Sequence, residues 1–441
     1  MPSLSTAPTR LWLSSANFYP TYGGAQHRYR GYIPGLSARG LDVGILAGTA
    51  ELHERTNVDI EAGWYDHEPG QWLPQAAIDG VTVHRMRLPD QGRSRLSTLY
   101  RGVTEVLSES GQGPVVLQLL TGLKPEARIW LHRFKNRGAA TVFSLSQYPN
   151  WHRKPWKRLF RQLGYRAVYN ELDALVSNSP AIIEFLRSMG VTCRIEYIPN
   201  GVDVGRFYPS TSAEDISDVE QLRAELGIPS QARVIVSVGA IMARKGQDKL
   251  VKAWTRVLQE HPETHLLLIG PLADKKAGTR KSFGDRLETL IQASGRPSQV
   301  HRTGAVDDVE RWLRASDICV LASNREGTPN SVLEAMATGL PCIVTPFRGQ
   351  SDALGQAGEQ FLCPERRPAA LAEALGQLLA NPGAAKALGE RGRQFVLAHA
   401  DQQDSLNRYS RLYADMAEIS RQRVAEFPEH SMLLPDALES R

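Results

Sequence analysis

The chain has 441 residues, of which 42% are hydrophobic and 22% charged, with a formal net charge of +5 at pH 7. These values argue against an intrinsically disordered chain and predict two or three globular domains. No apolar run is long enough to span a bilayer, and we expect no secretory signal at the N-terminus. The four cysteines form no CxxC pair, which argues against a zinc ribbon and favours a reducing, cytoplasmic location.

Short apolar runs alternate with amphipathic stretches along the first half of the chain, which predicts βα units around a parallel sheet. The first strand is expected at 10–15, followed by a glycine-bearing loop and a helix that ends near Gly40. The other strands of this half are predicted at 42–48, 81–88, 114–120, 140–146 and 174–179. Ser179 and Pro180 then supply an N-cap and a first-turn proline for a helix that stops at Gly190.

A polar, acidic stretch at 209–233 interrupts this alternation and is interpreted as the connection between two domains. The alternation then resumes, with strands predicted at 234–239, 265–270, 299–304, 318–323, 341–346 and 360–365. Beyond Pro382, long helices are expected to reach about Ala425.

The expected architecture is α/β, with two doubly wound, Rossmann-like halves. The predicted boundaries are a first domain at 1–205, a connection at 206–232, a second domain at 233–395, helices that return toward the first domain at 396–425, and a tail at 426–441. Ligands of such folds bind at the carboxyl ends of strands, so the cleft between the halves is the expected site.

The excess positive charge lies in the first half, where residues 1–205 hold 23 Lys and Arg against 17 Asp and Glu. It is densest at 151–166, where a predicted helix carries apolar side chains at helical spacing: Trp156, Leu159, Phe160 and Leu163. Three cations surround or oppose them: Lys157, Arg158 and Arg161. This helix could lie on an anionic membrane, or its apolar face could pack on the first domain, and the sequence leaves both open. Nucleic acid is not expected as a partner, because the second half is slightly acidic.

The segment 316–346 carries two carboxylates close to a predicted helix start. A buried strand ends in a loop with Glu326, and a helix is expected to begin near Asn330 or Ser331, with Glu334 one turn inside it. Helix N-termini present unpaired amides and a partial positive charge, which suits a phosphate or diphosphate. Two carboxylates at this spacing can accept hydrogen bonds from the hydroxyls of one bound sugar. The spacing alone also fits a capping carboxylate followed by an exposed helix glutamate.

Five segments in chain order resemble a known family. YGGAQHRYRGYIPGLSARG resembles its N-terminal glycine loop and first helix, and IPNGVDVGRFYP resembles the segment that ends its first domain. VGAIMARKGQDKLVKAW resembles the opening of its second domain, and VHRTGAVDDVERWLRASDICVLAS leads into the two glutamates, which match its E-x7-E signature. These segments cover most of residues 10–400, and by them the chain resembles the retaining GT-B glycosyltransferases of family 4, the glycosyl transferases group 1.

The resemblance implies a GT-B fold, in which two Rossmann-like domains face each other across a cleft. It also implies a site for a nucleotide-diphosphate sugar on the second domain, with UDP-sugars favoured over GDP-sugars. Glu334 would hold the ribose hydroxyls and Glu326 the donor sugar, while Lys245 would neutralise the diphosphate. Glu326 and Lys245 are the implied catalytic residues. Other residues complete the implied donor site: Gly23, Gly24, Arg244, Gly327, Thr328, Pro329, Asn330 and Ser331.

The resemblance further implies transfer to an acceptor hydroxyl with retention, the leaving phosphate oxygen taking the acceptor's proton. The acceptor, held by the first domain, would be a glycan, a lipid-linked molecule or a small molecule. No cofactor beyond the donor is required, no metal site is expected, and a divalent ion that travels with the diphosphate is left open. Contact of 151–166 with the inner face of the membrane is part of this interpretation, whereas the oligomeric state is not addressed.

Two positions depart from the family pattern. Ala240 stands where the family commonly has arginine, and Ser146 stands where it often has histidine, with His152 as a candidate substitute. These departures keep open a non-catalytic homologue that binds a sugar nucleotide or a glycan. A phosphorylase-type or sucrose-type enzyme on the same scaffold is the third interpretation.

Overall fold

The computed structural model describes residues 8–19, 24–49, 64–89, 94–110, 113–148, 155–272, 282–347, 350, 354 and 363–426. Of these residues, those from 8 to 198 and those from Ser405 onward form one compact unit, and Pro199–Asp404 form a second. Of the tail predicted at 426–441, Glu426 is still helical and residues 427–441 lie outside the described residues.

The first unit is built on an eight-stranded sheet. Its strands are β1 (Thr9–Ser15), β2 (Leu41–Gly48), β3 (Ala76–Ile78), β4 (Val81–Met86), β5 (Val115–Leu119), β6 (Ala140–Ser144), β7 (Ala174–Ser177) and β8 (Arg194–Tyr197). They lie in the order β3-β4-β2-β1-β5-β6-β7-β8, and every neighbouring pair is parallel except the hairpin β3–β4. The sequence analysis missed β3, although Asp79 and Gly80, both at positive φ, form the kind of Asp-Gly turn that joins hairpins.

Five helices of the first unit connect these strands: α1 (Gly24–Ser37), α2 (Ser94–Glu109), α3 (Arg128–Lys135), α4 (Pro155–Asn170) and α5 (Pro180–Ser188). The start of α5 is as predicted, because Ser179 Oγ accepts a hydrogen bond from the amide of Ile182 at 3.3 Å and Pro180 occupies the first turn. The chain leaves this helix at Gly190, whose φ of +80° is a conformation that favours glycine.

Helix α4 turns its apolar stripe outward. Its four large apolar side chains are between 44 and 69% exposed: Trp156, Leu159, Phe160 and Leu163. The helix packs on the first unit through other residues, among them Val168 and Tyr169, which are buried. Of the two alternatives that the sequence left open, the structure therefore does not show the one in which the apolar stripe packs on the first domain.

The second unit is a five-stranded parallel sheet flanked by helices. Its strands are β9 (Val234–Val238), β10 (His265–Ile269), β11 (Val300–Gly304), β12 (Ile318–Leu321) and β13 (Cys342–Val344), in the order β11-β10-β9-β12-β13. Its helices are α6 (Ala213–Glu225), α7 (Gln247–Val257), α8 (Phe283–Ala293), α9 (Val309–Arg314), α10 (Asn330–Ala337), α11 (Pro368–Ala380) and α12 (Pro382–His399). Of the strand predicted at 360–365, residues 360–362 lie outside the described residues, and 363–365 are not strand.

The acidic stretch that was interpreted as a connection contains a helix of the second unit. Helix α6 begins with a capping box, in which Ser212 and Asp215 exchange side-chain and backbone hydrogen bonds. Leu222 is buried, and Arg311 of α9 donates to Asp218 at 2.8 Å. A helix that buries so little of its surface is polar in sequence, which is why composition alone suggested a connection.

The last helix, α13 (Gln402–Glu426), packs in the first unit from Ser405 onward. It buries a stripe of large side chains: Leu406, Tyr409, Leu412, Tyr413 and Met416. Near its end, Arg423 donates to both carboxylate oxygens of Asp173, at 2.9 and 2.5 Å. Among the described helices, including this one, none is both long and apolar enough to cross a bilayer.

Candidate active site

The candidate site of the second unit lies where the strand order reverses. Strand β9 has β10 on one side and β12 on the other, so the loops that follow β9 and β12 diverge at the carboxyl edge of the sheet. Such a switch point is where open α/β sheets bind their ligands. The first loop carries Arg244 and Lys245, and the second carries Glu326.

The two loops bring these three charged side chains together. Lys245 Nζ lies 2.8 Å from Glu326 Oε1, and Arg244 NH1 lies 3.2 Å from the same oxygen. The Glu326 side chain is only 8% exposed, whereas that of Arg244 is 30% exposed. The cluster therefore carries two cations and one anion, with a surplus of positive charge at the edge that faces solvent.

Glu326 is ionised in this setting. Burial by itself would raise the pKa of its carboxyl, but the charges of Lys245 and Arg244 and hydrogen bonds from Lys245 and Ser323 lower the pKa below its usual value. A fully charged carboxylate can accept strong hydrogen bonds from sugar hydroxyls. It also holds the Lys245 ammonium in one position before any ligand arrives.

Glycine allows the first loop to approach the second this closely. Gly246 has a φ of +72°, and a Cβ at this position would overlap the carbonyl oxygen of Ala322 at the end of β12. The carbonyl of Arg244 then accepts from the amide of Asn324 at 2.9 Å and from Ser323 Oγ at 3.1 Å. The position of the two cations is thus determined by backbone contacts between neighbouring strands.

Helix α10 begins at Asn330, as predicted, and its N-terminus adjoins the cluster. Pro329 precedes the helix and supplies no side-chain cap. Within the described residues, the amides of Gly327 and Thr328 donate to no acceptor. Such amides, together with the partial positive charge of a helix N-terminus, form a suitable environment for an anionic group.

A second asparagine, which the sequence analysis did not single out, supports this helix start. Asn200 is buried, and its Nδ2 donates to Asn330 Oδ1 at 2.6 Å. It belongs to the segment IPNGVDVGRFYP, so the motif contained the signal although no role was assigned to the residue.

Glu334 lies one turn inside α10, partly buried. Burial raises the pKa of its carboxyl to about 7, the charge of Arg206 lowers it, and that of Glu310 raises it. Arg206 is engaged with Glu310 at 2.7 Å, which weakens its effect on Glu334. Near neutral pH the Glu334 carboxyl is therefore protonated in part of the molecules and charged in the rest.

The loop in which Ala240 replaces the family arginine is held by a buried glutamine. Gln247 Nε2 donates to the carbonyl of Ala240 at 3.1 Å, and its Oε1 accepts from the amide of Met242 at 3.3 Å. The loop therefore has a defined backbone without an arginine. Arg244 supplies a second cation beside Lys245.

The predicted residues of the first unit follow the carboxyl ends of their own strands. Gly24 begins α1 after β1, and a Cβ added there would meet no atom of the chain within 4 Å. Ser146 follows β6 and is half-buried. Gly23 and His152 lie outside the described residues. Among the residues that the structure describes, no group of three or more His, Cys, Asp and Glu side chains could hold a metal ion.

Two family models match the chain. Glycosyl transferases group 1 matches residues 218–395, and the glycosyl transferase 4-like domain matches residues 23–201. The first model includes Lys245, Glu326 and Glu334, and the second includes Ser146.

Several curated relatives and solved structures are similar to the chain, including the following three. The D-inositol 3-phosphate glycosyltransferase of Corynebacterium jeikeium (strain K411) is 27% identical over 59% of this chain and 61% of that protein. A GDP-mannose-dependent monoacylated alpha-(1-6)-phosphatidylinositol monomannoside mannosyltransferase of Corynebacterium glutamicum is 29% identical over 60% of this chain and 67% of that protein. The alignments thus span about three fifths to two thirds of these relatives.

The structure of Anabaena HepE in complex with UDP and glucose has a TM-score of 0.66 and 17% identity, and covers 93% of this chain and 100% of that chain. An identity this low shows the fold alone. Together with the two parallel sheets, it confirms the expected GT-B fold of two Rossmann-like domains. The chain belongs to the glycosyl transferases group 1.

Proposed function

We propose that the protein transfers a sugar from a nucleotide-diphosphate sugar to an acceptor hydroxyl, with retention of the anomeric configuration. The cluster of Lys245, Arg244 and Glu326 beside the uncapped start of α10 is the observation that carries the proposal. It combines cations and free amides for a diphosphate with a charged carboxylate for a sugar.

In the proposed donor complex, Glu334 accepts hydrogen bonds from the ribose hydroxyls and Glu326 from the hydroxyls of the sugar. Lys245 and Arg244 contact the diphosphate, and the amides of Gly327 and Thr328 face the distal phosphate. The remaining donor contacts are assigned to Gly23, Gly24, Pro329, Asn330 and Ser331.

In the proposed reaction, the bond between the anomeric carbon and the diphosphate oxygen breaks as the acceptor oxygen bonds to the same face of that carbon. The acceptor's proton passes to the departing phosphate oxygen, so the reaction is balanced without a protein base. Negative charge grows on the diphosphate during this step. Cations that are already positioned stabilise such charge most, because they need no reorganisation at that moment.

For the donor, we propose a UDP-sugar before a GDP-sugar. The GT-B structure that holds UDP and glucose supports the first, and the relative named for GDP-mannose supports the second. Thermal shift with UDP-, GDP- and ADP-sugars discriminates between them, since at equal concentration the ligand that binds the folded protein more tightly raises the melting temperature more. Stabilisation by GDP-mannose alone would reverse the preferred order.

Transfer is tested with the stabilising donor and a panel of glycan, lipid-linked and small-molecule acceptors. Release of the nucleoside diphosphate measures turnover, and the coupling constant of the new anomeric proton in NMR reports retention. Glu326→Gln is expected to abolish turnover, whereas the matched surface change Glu390→Gln is expected to leave it unchanged. Donor binding without turnover on any acceptor would favour the non-catalytic homologue, for which Ala240 and Ser146 are the supporting residues.

For the acceptor, we propose a lipid-linked molecule that the protein reaches at an anionic membrane surface through 151–166. The exposed apolar stripe of α4 supports this choice, and so does the relative whose name includes phosphatidylinositol. Ser146 and His152 are the proposed residues on the acceptor side. If only soluble acceptors are glycosylated, this part of the proposal is wrong while the donor assignment stands.

A further inference from the structure

The outward stripe of α4 is a continuous apolar surface. Its members follow the i, i+3, i+4, i+7 pattern, which places them on one side of a helix: Trp156, Leu159, Phe160 and Leu163. Single exposed apolar residues are common, but a contiguous group of this size on a folded protein marks a surface that contacts another phase or molecule.

The rotation of α4 that exposes this stripe is enforced by packing on its other side. Gly164 faces Pro125, and a Cβ at Gly164 would lie 3.0 Å from Pro125 Cγ, closer than side chains normally pack. Val168 and Tyr169 are buried beneath the same side of the helix. Rotating the stripe inward would expose these two residues and separate the Gly164–Pro125 contact.

A cavity of about 490 Å³ adjoins the helix. It lies between α2, the turn Pro125–Ala127, Trp130 of α3 and the inner edge of α4. Two cations line it, Lys124 and Arg161, against one carboxylate, Glu126. Within the described part of the chain, neither cation has an acidic partner. The cavity therefore carries a net positive charge and has aromatic walls.

We infer that the apolar stripe of α4 and the adjoining cavity form one docking surface for an anionic phospholipid bilayer, with a lipid phosphate in the cavity between Lys124 and Arg161. The apolar side chains would enter the acyl region, and the cations would meet the negative headgroups. Arg161 belongs to both features, since it lies on α4 and lines the cavity. A second copy of this chain could cover the stripe but would bring the same cations together, which charge disfavours.

This inference deepens the acceptor half of the proposed function, and it rests on that proposal only for the identity of the acceptor. Vesicle binding needs neither donor nor turnover. If the unchanged protein binds no anionic vesicles but shows a donor-induced thermal shift, the docking surface is rejected and the transferase proposal stands. Vesicle binding without a donor-induced thermal shift would reject the donor site alone.

The test is co-sedimentation of the full chain with phosphatidylcholine vesicles, with and without phosphatidylglycerol. Binding is expected only to the anionic vesicles and is expected to weaken as salt is added. Leu159→Ser combined with Phe160→Ser should lower the partition constant about tenfold or more. Arg161→Gln and Lys124→Gln should each lower it about fivefold, because each removes one cation that lines the cavity.

Two matched controls lie on the second unit. Ile216→Ser removes an exposed apolar side chain of α6, and Lys386→Gln removes an exposed cation of α12. Both should bind vesicles like the unchanged protein. As an independent measurement, quenching by brominated lipid is expected to fall in Trp156→Phe relative to the unchanged protein.

Three outcomes would overturn the inference. The first is absence of binding to anionic vesicles at low salt, and the second is unchanged binding in the Leu159→Ser, Phe160→Ser variant. The third is a dimer in light scattering that this variant dissociates, which would assign the stripe to a second copy. Unchanged binding in Lys124→Gln together with Arg161→Gln would remove the cavity from the docking surface.

Discussion

At the scale of single residues, Glu334 combines a cost in stability with a proposed role in binding. Its carboxyl has a pKa of about 7 in the folded protein because burial disfavours the charge, against an ordinary value of 4.5. Between these two values the folded state holds a proton that the unfolded state has lost. The contribution of Glu334 to stability therefore falls as pH rises from about 4.5 to 7 and stays low above that range.

Replacing Glu334 by glutamine should separate these two effects. At pH 8 we expect Glu334→Gln to stabilise the protein by about 2 kcal/mol, and at pH 4 to change stability little. The same variant should raise the donor dissociation constant about tenfold, because an acceptor of two charge-assisted hydrogen bonds is lost. Thermal melts across pH and calorimetric donor titrations check the two parts. Unchanged donor affinity would contradict the ribose assignment.

Lys245 is the residue for which binding and turnover should respond differently. If its charge balances the charge that grows on the leaving diphosphate, Lys245→Ala should lower kcat by more than it raises the donor dissociation constant. Lys252→Ala, on the exposed side of helix α7, which follows this loop, is the control and should change neither. Arg244→Ala, measured in parallel, shows how far Arg244 takes over the role of the family arginine that Ala240 replaces. An effect on KM alone would mean that Lys245 contributes to binding of the donor and not to stabilisation of the transition state.

At the scale of elements, the approach of the β9 loop to the end of β12 depends on Gly246. We expect Gly246→Ala to destabilise the second unit by about 2 kcal/mol or more, because it combines a left-handed backbone with overlap of the Ala322 carbonyl. The displaced loop should also reduce the donor-induced thermal shift.

Gly227→Ala is the matched control for this change. Gly227 lies in the same unit with a φ of +65°, but a Cβ there would meet no atom within 4 Å. It should cost only the backbone strain, about 1 kcal/mol, and leave the donor-induced shift intact. Equal effects of the two substitutions on donor binding would argue against a specific role for the contact between the loops.

At the scale of the whole molecule, α13 is the element that joins the C-terminal part of the chain to the first unit. Its Arg423 pairs with Asp173, which is largely buried and also accepts from the amide of Thr141 at 2.8 Å. Burial by itself would raise the pKa of Asp173, but hydrogen bonds and charges from Arg423 and Lys135 hold it below its usual value. The stabilisation is therefore present above the ordinary pKa of 3.8 and is lost as pH falls through the folded value.

Arg423→Ala should destabilise the protein by about 3 kcal/mol at neutral pH, because it leaves a buried carboxylate with fewer partners. Arg421→Ala is the control, since this side chain is exposed and its ion-pair partner among the described residues is exposed Glu418 on the same helix. Calorimetry should show the first-unit transition move to lower temperature, while the donor-induced shift is retained. Equal melting temperatures for the two variants would contradict the assignment of α13 to the stability of the first unit.

The sequence by itself determined much of the local structure. Alternating apolar runs predicted the parallel strands of both sheets except β8, and Ser179 and Pro180 predicted the start of α5. The pattern around Glu326 predicted that α10 starts near Asn330 or Ser331, and it starts at Asn330. These features depend on the periodicity of side chains and on helix-capping residues. Both are local, so a short stretch of chain contains the whole signal.

Only the tertiary structure decided which distant residues meet and which surfaces remain exposed. Arg244 and Glu326 are 82 residues apart, and they meet because β9 and β12 are neighbours in the sheet. The pKa of Glu334 depends on Arg206 and Glu310, and the support of Ala240 depends on a buried glutamine. The rotation of α4 was open in the sequence, since its stripe could face either way, and the contact of Gly164 with Pro125 turned that stripe outward. Burial and charge act through distance in space, which the order of residues along the chain does not specify.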